Sequence, residues 1–166
     1  YLLFQMDIYF QILLYKKFDF PFKTIQLNPY KIPYRTSTFD CILLSLVLHH
    51  ADNIYDVLKE CFRLLKKEGI VVIVEHDVWT DQEDIIVEAQ HKLYETIYNE
   101  KKDSYKGTYY NFFEWDILFD RCGFEPVYSD RLYEGINSIG RYDNQFYGFY
   151  KKRYLNYINV ILQNKS

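Results

Sequence analysis

Between Cys41 and Leu48 the chain reads C-I-L-L-S-L-V-L, an apolar run broken only by Ser45. A short continuous run of this kind predicts a strand buried on both faces, as in a parallel sheet. The residues that follow supply a crossover. Ile54, Val57, Leu58, Cys61, Leu64 and Leu65 recur at three- and four-residue spacing, which predicts an amphipathic helix. Asp52 or Asn53 is placed to cap its start. Lys66 and Lys67 suit its negative end, and Gly69 is expected to stop it. Ile70–His76, I-V-V-I-V-E-H, then reads as a second buried, β-branched strand. Strand, helix and strand form a βαβ unit, right-handed in about 98% of known cases.

The rest of the chain is read around that unit. Phe22–Asn28 is an expected strand before a loop that holds Pro29 and Pro33. Tyr1–Phe18 fits either one helical stripe or a strand, Tyr1–Asp7, followed by a helix, Tyr9–Phe18. Asp81–Lys102 is helical by its period. Phe112–Phe124 is a short helix ended by Gly123. Glu125–Glu134 and Gly140–Arg153 alternate enough to form an antiparallel pair. The expected fold is an α/β sheet, mostly parallel, with an antiparallel C-terminal hairpin. Residues 1–153 form one domain, and 154–166 are a tail with no assigned element.

Composition excludes several classes. The 166 residues carry a formal net charge of −3, so there is no global pull toward nucleic acid. Lys151–Arg153 with Arg141 and Lys165 make the C-terminal part locally basic; a solvated strand end is expected there. Cys41, Cys61 and Cys122 are widely spaced and read as free thiols in a reducing, cytoplasmic setting. The first 22 residues are interrupted by Gln5, Asp7, Gln11, Lys16, Lys17 and Asp19. They fit neither a membrane span nor a signal peptide.

The middle of the chain resembles the class I S-adenosylmethionine-dependent methyltransferases of the type 11 kind. The matching residues are Ile32-Pro33-Tyr34, Phe39-Asp40, His49-His50, Glu60, Arg63, Leu65, Lys66 and Gly69. A Gly-Phe pair, Gly123-Phe124, also closes the last helix as in that family. The resemblance implies a Rossmann-like methyltransferase sheet with S-adenosyl-L-methionine as cofactor. It implies that Asp7 and Ile8, at the end of the second strand, hold the cofactor. Asn28 and Pro29 after the third strand, and Leu44, Ser45 and Leu46 at the end of the fourth, would complete that site. Some features depart from the family. Lys67-Glu68-Gly69 replaces a Pro-Gly-Gly, and Pro29 has no N–H to offer. No G-x-G occurs, so the glycine loop of the family's first strand is missing. The family's first strand lies between its second and fourth, so without it the fourth would keep a costly unpaired edge. An N-terminally truncated methyltransferase is the expectation.

His49, His50, Glu75, His76, Asp77 and His91 include ligand types for zinc or iron. Adjacent histidines tend to point apart, however, and no H-x-x-H or H-E-x-x-H spacing occurs. The reading adopted has no metal. It places His49 and His50 as catalytic groups at the acceptor, with a neutral imidazole taking its proton. Glu75, Asp77, His91 and Tyr109 line the acceptor pocket. The acceptor itself, small molecule, RNA or protein, is not specified by the residues. The alternative is a non-catalytic methyltransferase-like module that binds a protein or RNA partner.

Overall fold

The computed structural model describes residues 2–4, 28–98, 107–132 and 144–153. Along the chain come β1 (Leu2–Phe4), β2 (Phe39–Ser45), a 3-10 turn (Leu48–His50) and α1 (Ile54–Leu64). β3 (Leu65–His76), α2 (Asp81–Tyr98), α3 (Phe112–Arg121), β4 (Phe124–Leu132) and β5 (Gln145–Lys152) follow.

The predicted βαβ unit is present. β2 and β3 run parallel, with Ile42 opposite Val71 and Leu44 opposite Ile73. These four side chains are fully buried. α1 packs Ile54, Val57, Leu58, Cys61 and Leu64 into the core, five of the six residues its period singled out. Asn53 caps it by accepting the Asp56 N–H at 3.2 Å.

The helix does not stop at Gly69. It stops at Leu64, because Leu65 turns to extended backbone and pairs with Phe39. β2 then advances from Phe39 to Cys41 while β3 advances from Leu65 to Ile70, so Lys66–Gly69 bulge out. Glu68 takes a left-handed φ of 66° there. The cation at the end of α1 also differs from expectation. Lys66 pairs with Asp40, and Lys152 of β5 donates to the carbonyls of Phe62 at 2.6 Å and Leu65 at 2.9 Å. The other two basic residues of that stretch are also engaged within the chain. Lys151 meets Glu68, and Arg153 meets Asp120 and the Phe124 carbonyl.

The sheet order is β1-β2-β3-β5-β4. The C-terminal strands are antiparallel as expected, with β5 inserted between β3 and β4. Behind them, Trp115, Phe119, Phe124 and Tyr150 are fully buried, and the Phe119 and Tyr150 rings stack at 4.2 Å. Asn111 and Glu114 form a reciprocal capping box at the start of α3. Gly123 ends that region with φ 90°, where a Cβ would lie 2.9 Å from the Phe62 ring.

The open edge expected on β2 is closed at Ile42–Leu44. Leu2–Phe4 pair with those residues in parallel. Tyr1–Asp7, expected as the second strand, thus places its described residues directly beside β2. That is where the resemblance puts the family's first strand. The expected strand Phe22–Leu27, the Tyr9–Phe18 segment and the tail 154–166 lie outside the described residues. Among the described residues, no helix is long and apolar enough to cross a membrane.

Candidate functional site

The site forms where β2 leaves the sheet. Leu46 takes a left-handed φ of 50° and donates its N–H to Val74 at 2.7 Å. A non-glycine residue in that region costs on the order of 1–2 kcal/mol, so the turn is held by its surroundings. Glu75, fully buried at the end of β3, does the holding. Its Oε1 accepts the N–H groups of Val47 at 2.7 Å and Leu48 at 2.6 Å. Its Oε2 accepts from His49 Nδ1 at 2.6 Å. One carboxylate therefore fixes both the backbone of the turn and the ring it carries.

The rings of His49 and His50 do not diverge; their centroids lie 4.1 Å apart. The 3-10 turn keeps both side chains on the same side. His76 enters from β3, with its ring 4.9 Å from that of His49. His91 enters from α2, with its Nε2 3.1 Å from His49 Nε2. Its Nδ1 lies 2.8 Å from the Val87 carbonyl, one helical turn back. All four histidines of the chain thus gather at one point. Tyr109 covers them, stacked on His49 at 5.5 Å. Its hydroxyl donates to Glu88 at 3.1 Å. Gly107 leaves the room that the end of the Tyr109 side chain occupies, which a Cβ would force to shift. Thr108 N–H donates to the His49 carbonyl at 3.0 Å, tying this loop to the turn.

Burial sets the electrostatics. It holds the His49 imidazole well below the usual histidine value, with nearby His91 adding to the effect. Burial also pushes the Glu75 carboxyl up, opposed by His76 and the two backbone N–H groups. Burial thus disfavours the charged form of the His49 ring, whose Nδ1 faces the Glu75 carboxyl.

Asp77 faces a different set of partners. It is fully buried. Its Oδ1 accepts from Trp79 Nε1 at 2.7 Å and from Phe112 N–H at 2.8 Å, at the start of α3. Its Oδ2 accepts from Arg131 Nε at 2.5 Å. Arg131 in turn lies over the Trp79 ring at 4.5 Å. Glu75 and Asp77, expected to line the acceptor pocket, are instead fully buried with their oxygens engaged by protein donors, while His50, His91 and Tyr109 are half-buried. The sequence reading missed Glu88 and Arg131. A signal existed for Glu88, since it stands three positions before His91 on one helix face; Arg131 gave none.

Comparison with known proteins agrees with this architecture. A family profile described as a methyltransferase domain matches residues 4–73. The YcgJ protein of Bacillus subtilis superposes with a TM-score of 0.58 at 15% identity, covering 87% of this chain and 76% of that one. A SAM-dependent methyltransferase of Methanosarcina mazei gives 0.55 at 19% identity, covering 76% and 65%. The fold is that of the class I methyltransferases. An uncharacterised protein of Methanocaldococcus jannaschii is 30% identical over 128 residues, which cover 77% of this chain. The aligned part is 48% of that protein, so the chain spans about half the length of its curated relative.

In this methyltransferase fold the remaining expected positions can be placed. Leu44 is buried in the core, while Ser45 and Leu46 are half-buried at the turn. Asn28 is exposed and already accepts the Tyr30 N–H at its Oδ1, 2.9 Å away. An amide oxygen has a second lone pair, so it can still receive an amino group. Pro29 is half-buried beside it. Asp7 and Ile8 lie outside the described residues.

Proposed function

We propose that this chain takes part in S-adenosyl-L-methionine-dependent methyl transfer to a nucleophilic acceptor. The observation that carries the reading is the Leu46 turn. It sits at the carboxyl end of a central parallel strand, where ligands bind in open α/β sheets. Its backbone is held in an unfavourable conformation by a buried carboxylate. Ser45 and Leu46 would face the methionine part of the cofactor, and Asn28 would accept the adenine amino group. When bound, the cofactor supplies an electrophilic methyl group on a sulfonium.

The acceptor would enter beside His50 and Tyr109. His50 is half-buried on the rim, whereas His49 is committed to Glu75 and His91. His50 is thus the better placed to take the proton that a hydroxyl or amine loses on methylation. The half-buried Tyr109 ring would orient the acceptor, and alignment of this kind accounts for much of such a rate.

Calorimetry of the full-length protein with S-adenosyl-L-methionine tests the reading. Saturable binding is expected, weakened at least about tenfold by Ser45→Tyr with the melting temperature kept as the fold control. Absence of binding at millimolar cofactor overturns it. That result favours a non-catalytic module, to which the missing Pro29 N–H also points.

A further inference from the structure

The geometry points to a divalent transition-metal site of the zinc type, held by His49, His76 and His91. The ligand nitrogens of these three residues lie within 4.8 Å of one another. Zinc binds imidazole nitrogens at about 2.0–2.1 Å in a tetrahedron, so paired ligands sit about 3.4 Å apart. The His49 and His91 Nε2 atoms are already 3.1 Å apart.

The hydrogen bonds around the cluster point the same way. His49 Nδ1 faces Glu75 Oε2 at 2.6 Å, and His91 Nδ1 faces the Val87 carbonyl at 2.8 Å. Each acceptor draws the ring proton to Nδ1. Both Nε2 atoms then carry lone pairs directed at each other, and a cation between them turns this opposition into bonding. A ligating histidine whose other nitrogen donates to a carboxylate or a backbone carbonyl is the usual outer arrangement of a metal site. Here both kinds of partner are present.

The two remaining groups fit this role. His50 and Tyr109 pack against the cluster, so the ion would be largely shielded from water. Three protein nitrogens leave a fourth position for water or another small ligand. Imidazole donors select zinc, iron, cobalt or nickel over magnesium and calcium. The site stands on these contacts alone and does not depend on methyl transfer.

The test uses the full chain, stripped with a chelator and titrated with Zn²⁺ and Co²⁺ in competition with a chromophoric chelator. One equivalent of Zn²⁺ per chain is expected. The Co²⁺ form should show visible bands of a tetrahedral nitrogen site and no near-ultraviolet thiolate band. His91→Ala and His76→Ala should each weaken binding at least about 100-fold, and Lys92→Ala on the same helix should not. His91 is half-buried on α2, so its variant should keep the wild-type circular dichroism, which serves as the fold control. Retention of no metal, equal affinity in folded His91→Ala, or a thiolate band from the cysteines each overturns the proposal.

Discussion

Glu75 shows how much one side chain decides here. In the sequence it is a carboxylate at the end of an apolar run, and that position was legible. Its work was not, because its partners are the backbone of Val47 and Leu48 and the ring of His49, far away along the chain. Glu75→Gln preserves the acceptor for the two N–H groups but turns an amide N–H₂ toward His49 Nδ1. The ring must then take its other tautomer or lose the bond. A loss of about 1–3 kcal/mol is expected, measured as a shift of the urea midpoint at unchanged slope. The histidine pair is a similar case. Adjacent histidines were expected to point apart, and a 3-10 turn brought their rings together.

Among the elements, α1 was the most legible, since its buried stripe follows from local period alone. Its end was misplaced because Gly69 looked like a stop, whereas pairing of Leu65 with Phe39 stops the helix first. The Glu60 and Arg63 pair, part of the family pattern, has a clear job on this helix. Glu60 Oε1 accepts the Ile32 N–H at 2.7 Å, and Arg63 donates to Glu60 and to the carbonyls of Ile32 and Tyr34. The loop before β2 is thereby clamped to α1. Arg63, and then the Ile32 N–H, hold the Glu60 carboxyl below its usual range against the opposing effect of burial. A depressed carboxyl stabilises the fold above its unfolded value and loses that contribution as pH falls through the folded one. The difference in melting temperature between wild type and Glu60→Gln should therefore be full at neutral pH and shrink toward zero in acid. A constant difference across that range would refute the linkage.

At the scale of the whole molecule, Asp77 joins β3 to the start of α3, to Trp79 and to Arg131 of β4. Asp77→Ala removes a buried acceptor from three donors at once. A loss of about 3 kcal/mol is expected, read by chemical denaturation together with near-ultraviolet dichroism of Trp79 and Trp115. The family likeness was legible in short motifs, and the C-terminal hairpin in its alternation. The sequence by itself determined that this chain is an α/β sheet protein, because strand and helix periods are set by residues a few positions apart. The tertiary structure alone decided that Leu2–Phe4 lie beside β2, that Lys152 caps α1, and that His49, His76 and His91 converge. Those outcomes depend on sheet register and on how crossovers return the chain. Such contacts join residues too distant in sequence for any local pattern to record them.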